Sequence, residues 1–332
     1  MKQAVLQSGK GIGTIAIREA AVPQPGPGEA LVRLHAATLN FRDIIVSDGL
    51  MPMMPVKEPE IVPLSCAAGV VESVGAGVTR VKAGDRVTPL FAIGWLSGPQ
   101  GTSTMLGGSI DGVGQEYAVY PAESLIHNPD ELGDLEAATL ACAGLTSWSA
   151  LTAFRPTQPG EWILAHGTGG VSIAALQFAK AMGVNVAITS SSDAKLARAK
   201  SLGADVTVNY RANPNWADAI RKAIGGNRIA NVIDTVGATQ FGDNSSLMQD
   251  GAQLSAIGML GSQFTWMRQD INVDMKPIGV GNRDQHDAML AFMVEHRIKP
   301  VVDVVYDLDR LQDAYRALQA GSFFGKVAVN LL

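Results

Sequence analysis

The chain has 332 residues, 47% of them hydrophobic and 17% charged, with a formal net charge of −5. That length predicts about two domains of ordinary globular composition. Acids and bases are interspersed with no basic block, which excludes nucleic acid and an anionic membrane surface as electrostatic partners. No run of about 18 uncharged apolar residues is long enough to span a bilayer. The opening MKQAVLQSGKGIG has no apolar h-region behind its lysine, and two cysteines, Cys66 and Cys142, are too few for a disulfide framework or a four-cysteine zinc lobe. The expected location is a reducing cytoplasm.

In chain order, the first third reads as β-rich. EALVRLHAATLN and AAGVVESVG alternate small apolar and polar residues, VKAGDRV has a Gly-Asp turn before a strand, and Pro and Gly punctuate the rest. Leu90 to Gly114 is a long Gly/Ser/Thr-rich stretch, read as a loop over a cleft. Near residue 121 the texture changes. EWILAHG, VNVAITS, DVTVNY, NVIDTVG and AQLSAIG are short apolar strands, separated mostly by helical runs such as VSIAALQFAKAMG, SDAKLARAKSLG and NWADAIRKAIGG. That alternation predicts an α/β fold of βαβ units around a parallel sheet covered on both faces. DQHDAMLAFMVEHR adds a helix, and the C-terminal stretch from Pro300 reads strand, helix, strand, rejoining the β-rich part.

Between the strand WILAHG and the helix that follows lies the turn Gly167-Thr168-Gly169-Gly170. Val171, Ala174, Ala175, Phe178, Ala181 and Met182 fall on one face of that helix. Such a turn uses glycine for tight geometry, for backbone approach to a pyrophosphate and for helix–strand packing, and the helix N-terminus offers free N–H groups to phosphate. The spacing departs from strict G-x-G-x-x-G, but its strand–turn–helix context predicts a dinucleotide site. An NAD site usually carries a carboxylate about 20 residues further on to hold the ribose hydroxyls. Here that position is Ser190, in ITSSSDAK. Serine hydroxyls at Ser190 and Ser191, with Lys195 nearby, suit a 2′-phosphate and predict NADPH; Asp193 could instead reach a ribose, and Ser190 to Ser192 could simply cap the next helix with Lys195 solvated.

AHGTGGVSIAALQFAKAMG, TSSSDAKLARAKSLGADVTVNY, VIDTVG, PGPGEALVRLHAATLNFRD, VGAGVTRVKAGDRV and GSFFGKVAV together resemble the medium-chain dehydrogenase/reductase superfamily over essentially the whole chain. The resemblance is strongest to its zinc-independent quinone oxidoreductase-like, alkenal reductase-like and zinc-type alcohol dehydrogenase-like branches. It implies a GroES-like β-barrel catalytic domain at 1–121, a doubly wound Rossmann NADP-binding domain at 122–297 and a C-terminal return to the catalytic domain at 298–332. It also implies that Tyr210 joins Ser190 or Ser191 and Lys195 at the 2′-phosphate, and that Val171, Gly237, Ile257, Gly258, Phe324, Gly325 and Lys326 line the cofactor. A homodimer is expected.

Zinc-dependent relatives place a Cys where this chain has Asn40 of NFRD, a His where it has Ser65, and a Glu where it has Cys66. A further Cys ligand matches Cys142. With Asn and Ser in ligand positions, and no cysteine between Leu90 and Gly114 for a structural zinc lobe, no metal is expected. Cys66 and Cys142 both fall in that pocket, as a relic or redox pair or as small buried side chains. Hydride transfer leaves negative charge on a carbonyl oxygen, which needs donors. The family pattern turns the amide of Asn40 and the hydroxyl of Thr146 towards the nicotinamide and keeps Asp43 structural. Ser65 and Tyr117 are candidate proton donors. His166 is read as a strand-end residue, and His35, His127, His286 and His296 show no ligand spacing. Phe91, Trp95 and Leu96, and Met259, Leu260, Phe264, Trp266 and Met267, predict an apolar pocket or an interface. The expected function is NADPH-dependent, zinc-independent reduction of a quinone or an α,β-unsaturated carbonyl. The alternatives are an alcohol dehydrogenase or carbonyl reductase, metal-assisted in one version, and a non-catalytic NADPH-binding protein.

Overall fold

The computed structural model describes residues 1–50, 56–99, 104–258 and 273–332. Two compact units are present, Met1–Leu145 with Val280–Leu332, and Thr146–Gly279. These divisions differ from the sequence expectation of 121/122 and 297/298. The strand Leu125–His127 pairs with Arg86–Pro89, and Ala137 and Ala138 pack on Ala36 and Ala68, which ties residues 122–145 to the first unit. The helix Arg283–Glu295 belongs there too. The backbone N–H groups of Arg283 and Asp284 donate to the carbonyls of Trp95 and Leu96 (3.0 and 3.3 Å), and Asn282 Nδ2 donates to the Gly98 carbonyl (3.1 Å).

In the first unit the principal sheet runs in space Leu125–His127, Arg86–Pro89, Cys66–Val74, Glu29–Thr38, Lys326–Asn330, Val302–Asp307, with Tyr117–Pro121 also on Glu29–Thr38. All its pairings are antiparallel except that of Lys326–Asn330 with Val302–Asp307. The far C-terminus is built into this sheet: Ala328 lies opposite Thr38 and Asn330 opposite Ala36. Val32, Leu34, Val71, Val87, Leu125, Tyr315, Val327 and Val329 lie in its core.

The second unit carries a six-stranded parallel sheet, ordered Val206–Asn209, Asn185–Ser190, Trp162–His166, Ile229–Asp234, Met248–Ala256, Asp274–Pro277. In chain order within the unit this is 3-2-1-4-5-6, and the order reverses beside the first strand, where such sheets open a crevice at their carboxyl ends. The helix Gly170–Ala181 does not bury the face its periodicity suggests. Ser172, Ile173, Ala175, Leu176, Phe178 and Ala179 are buried, while Val171, Ala174, Ala181 and Met182 are only half-covered. Alanines surround this helix, so apolar spacing alone did not mark its inner side. Among the described residues no helix is long and apolar enough to cross a membrane.

His286, in the first unit, is fully buried with neither ring nitrogen bonded among the described residues. Burial holds its pKa down to about 4, against an ordinary 6.5. The unfolded chain takes up this proton below about pH 6.5 and the folded chain only near 4, so stability falls with pH across that window. The slope is about 1.4 kcal/mol per pH unit, roughly 3 kcal/mol in all. His166 acts in the same direction, since burial lowers its pKa as well. His286→Leu should flatten the dependence: the loss in urea midpoint between pH 7 and 5 should shrink by about half or more. An unchanged loss would show that His286 does not carry it.

Candidate functional site

In the second unit the strand Trp162–His166 enters the glycine turn and the helix Gly170–Ala181 leaves it. Gly167 has φ +73°, a conformation that favours glycine, and a Cβ on Gly167 or Gly169 would meet only open space. Gly169 caps the helix in an extended conformation with no side-chain cap hydrogen bond. The turn is held from behind. The His166 carbonyl accepts from Ser172 Oγ (2.5 Å) and Thr235 Oγ1 (2.8 Å), and the Val171 carbonyl from Ser147 Oγ (2.8 Å). Thr168 is buried. His166 itself bonds to Thr189 Oγ1 (3.1 Å) and Asn244 Oδ1 (2.7 Å) and meets Trp216 edge-on, a structural role as its strand-end position suggests.

Neighbouring loops lock to the same end of the sheet. Asp234 Oδ1 accepts from the N–H groups of Val236 (2.9 Å) and Gly237 (2.8 Å), and the Asp234 carbonyl accepts from Ile257 and Gly258. Gly258 lies so close to Thr235 that a Cβ would sit 2.1 Å from that residue's carbonyl carbon. The backbone there must be bare. These features fit a dinucleotide: an uncapped helix N-terminus, an open glycine face and close-packed glycines at the sheet's carboxyl end.

Ser190 ends the second strand, nearly buried, its hydroxyl accepting from the Ser192 N–H (3.4 Å). Ser192, rather than Ser190 or Ser191, caps the next helix, its hydroxyl accepting from the Lys195 N–H (3.4 Å). Asp193 is engaged by Asn209 Nδ2 (2.9 Å). Tyr210 is 43% exposed beside Asn209, and its N–H donates to the Ser190 carbonyl (3.1 Å), bringing the third strand's end to the second's.

The first unit holds a separate polar cluster. Lys326 Nζ donates to Asn40 Oδ1 (2.7 Å) and to the Leu39 carbonyl. Asn40 Nδ2 donates to Cys66 Sγ (3.1 Å) and Ser65 Oγ (3.4 Å). Cys66 in turn hydrogen-bonds Cys142, which sits in a π-helical turn, Leu140–Gly144. Lys326, Asn40, Ser65 and Cys66 are all buried, and Cys142 is half-buried. Burial pushes the Cys66 thiol up, but the Cys142 hydrogen bond, the Lys326 ammonium and the Asn40 amide outweigh it and bring it down to about 7. Cys142 is raised, first by its bond to Cys66 and then by burial, so of the two thiols Cys66 is the one that ionises more readily. Burial lowers the pKa of Lys326. Beneath the cluster, burial raises that of Asp43 despite Arg42, and the carboxylate accepts from the Asn40 N–H (2.7 Å), fixing the start of the helix Phe41–Ser47.

The described parts of the Leu90–Gly114 stretch are not all loop, since Ala92–Ile93 pairs with Thr104–Met105, and several of their residues meet the backbone beside this cluster. Arg42 lies over the Phe91 ring (4.9 Å) and donates to the Leu106 carbonyl (3.1 Å). Leu64 has φ +70°, and a Cβ on Gly107 or Gly112 would lie 2.3 or 1.9 Å from its carbonyl oxygen, so the loop can reach the backbone preceding Ser65 only with glycines there. Trp95 and Leu96 are half-buried; Met259, Leu260, Phe264, Trp266 and Met267 lie outside the described residues.

Several sequence expectations change in this light. The Asn40 amide, expected to await substrate, is spent on Cys66 and Ser65. The Thr146 hydroxyl donates to the Gly279 carbonyl (3.2 Å). Tyr117 pairs with Arg33, five residues before Thr38, about 16 Å along the strand from the end that bears the cluster. Lys326 was expected only as backbone beside Phe324 and Gly325; its side chain is instead the cation of the cluster. Phe324 is buried with its N–H on Asp303 Oδ2 (2.9 Å), and Gly325 (φ +81°) packs on the Val301 carbonyl. Nor do the residues fit zinc. A catalytic zinc takes three protein donors; here two thiols meet an ammonium, an amide and a hydroxyl already bonded to one another. Among the described residues no group of three or more His, Cys, Asp and Glu could hold a metal ion.

Comparison with known proteins accounts for both units. The alcohol dehydrogenase GroES-like domain matches residues 26–130 and the zinc-binding dehydrogenase domain residues 170–307. The chain is 39% identical over 327 residues to a zinc-type alcohol dehydrogenase-like protein of Schizosaccharomyces pombe, covering 94% of each. A putative alcohol dehydrogenase from Sinorhizobium meliloti 1021 superposes with a TM-score of 0.90 at 32% identity over 99% of each chain. A mycobacterial protein solved with NADPH gives 0.84 at 26% identity, over 99% of this chain and 100% of that one. Other matches include a solved NAD-dependent alcohol dehydrogenase and a quinone oxidoreductase. The fold and these relatives define a two-domain dehydrogenase. The chain belongs to the medium-chain dehydrogenase/reductase superfamily, as an oxidoreductase with a GroES-like N-terminal domain and a Rossmann domain.

Proposed function

We propose that the chain is an NADPH-dependent reductase of quinones or α,β-unsaturated carbonyls that works without a catalytic zinc. The observation that carries this reading is the Lys326–Asn40–Cys66–Ser65 cluster: positive charge is supplied by a buried ammonium where zinc-dependent relatives place metal ligands. When bound, NADPH supplies the hydride. The glycine turn holds its pyrophosphate, and Ser190, Ser191, Lys195 and Tyr210 take the 2′-phosphate, with Asp193 drawn aside by Asn209. The solved NADPH complex of a relative supports this choice, against the NAD-dependent relative. The enolate or hydroquinone anion left by hydride transfer is stabilised by the field of Lys326, which acts through Asn40. Its proton comes from the thiol pair or from water.

The alcohol dehydrogenase names of several relatives favour direct carbonyl reduction as the second reading. Cinnamaldehyde separates the two. Incubation with NADPH and analysis of the product should yield the saturated aldehyde. Cinnamyl alcohol would overturn the conjugate-reduction reading in favour of the second, and tight NADPH binding with no product from aldehyde or quinone would point to a binding role.

A further inference from the structure

We propose that Cys66 and Cys142 form a reversible intrachain disulfide when a hydroperoxide reaches the pocket. The two sulfurs meet because the fold brings their elements unusually close. Ala36 and Ala68 on the sheet face Ala137 and Ala138 of the overlying segment, so only methyl groups separate strand from helix. Thr38, which lies opposite Cys66 in the sheet, ties this contact with Oγ1 on the Ala138 carbonyl (2.8 Å). The chain then enters the π-helical turn, whose wider hydrogen bonding is a local departure often found at functional positions, and Cys142 in that turn reaches Cys66. An S–S bond of about 2.05 Å then requires these neighbouring thiols to draw together.

The chemistry is supported by the surroundings. Lys326 and Asn40 place an ammonium and an amide N–H beside the Cys66 sulfur, which favours its anionic, nucleophilic form. Cys66 is buried, and Cys142 is the half-buried member of the pair. The Cys66 thiolate attacks one peroxide oxygen and the O–O bond breaks. The departing oxygen leaves as water, or as an alcohol from an organic peroxide, after taking a proton, and Cys66 becomes a sulfenic acid. The Cys142 sulfur, giving up its proton, then attacks Cys66; the S–S bond forms and the hydroxyl leaves as water. In sum two thiols are oxidised and one peroxide is reduced, and a dithiol reverses the change by exchange. The disulfide removes the thiolate partner of Lys326 and the sulfur acceptor of Asn40, so redox state resets the polar cluster.

The test is made on the full chain without any turnover assay, so it stands apart from the proposed reaction. The protein is treated with hydrogen peroxide, denatured in iodoacetamide and weighed intact. The expected result is a loss of two hydrogens in mass, loss of both alkylatable thiols, a fragment linking the Cys66 and Cys142 peptides, and full recovery after dithiothreitol. Cys142→Ser should leave Cys66 oxygenated and unlinked. Two thiols still open to alkylation, oxygen added without a cross-link, or a link between separate chains would each overturn the proposal. Because the main readout is on the unsubstituted chain, a poorly folding variant does not obscure it.

Discussion

Lys326→Met should lower kcat/KM for the NADPH-dependent reduction by about 100-fold, the scale typical for loss of one preorganised group that stabilises developing charge. The substitution keeps the length of the side chain and deletes its charge. Two acceptors then lose their donor inside the first unit, the Leu39 carbonyl and Asn40 Oδ1. With Oδ1 released, the Asn40 amide is free to turn away from Cys66. A purely structural lysine would show only the stability loss, about 1–3 kcal/mol for buried acceptors left unsatisfied. The positioning role predicts a second signature. Cys66 stands near 7 because Lys326 and the two hydrogen bonds outweigh burial. Without the ammonium, burial gains ground and the thiol moves up. Ultraviolet titration of the thiolate should show its midpoint shifted to higher pH in Lys326→Met, and restored towards the parent value in Lys326→Arg if the guanidinium fits. A fall in Tm with unaltered kcat/KM and an unaltered thiolate midpoint would remove Lys326 from the machinery.

Lys326 also shows where sequence reasoning stops. The second unit is legible because most of its elements are local patterns: five of its six strands are short apolar runs, and the glycine turn lies between a strand and a helix. The sixth, Asp274–Pro277, is too polar to register as a strand. The cluster in the first unit is a different matter. Asn40, Ser65, Cys66 and Cys142 can be grouped only by resemblance to a family pattern, and that resemblance gives their positions without their bonds. Lys326 is 286 residues from Asn40 in the chain, and the antiparallel register of its strand with Ala36–Thr38, which aims the ammonium at the cluster, leaves no trace in periodicity. One signal was available. A lysine is seldom buried without a partner, and in GSFFGKVAVNLL it opens an apolar strand on its own. The inner face of the Gly170–Ala181 helix was hidden for another reason, since alanine is at home on either side of a helix between sheet and solvent. The π-helical turn Leu140–Gly144 has no compositional sign, since LACAG reads as ordinary helix.

Ser190→Asp should reverse the cofactor preference, lowering kcat/KM with NADPH by about 100-fold while NADH improves. The position is the carboxyl end of the second parallel strand, where a carboxylate in related folds holds the ribose hydroxyls. In this chain the nearest carboxylate, Asp193, is turned to Asn209 Nδ2, and the strand end presents hydroxyls and backbone, with Lys195 on the first turn of the following helix. An aspartate would bring a negative charge against the 2′-phosphate and replace a neutral donor by an acceptor. Loss of one hydrogen bond to a charged group, about 1.5–3 kcal/mol, with repulsion added, gives the hundredfold scale at about 1.4 kcal/mol per decade. The same aspartate can accept from both ribose hydroxyls of NADH, which offers no phosphate to repel. Lys195→Ala should act more mildly, weakening NADPH about tenfold and reducing the salt dependence of its binding, since a cation–phosphate contact made by this half-buried lysine is still partly screened. Steady-state kinetics with each cofactor at fixed cinnamaldehyde decides the matter. A Ser190→Asp enzyme that keeps the parental ratio of NADPH to NADH would place the 2′-phosphate elsewhere, or show that the parent prefers NADH from the start.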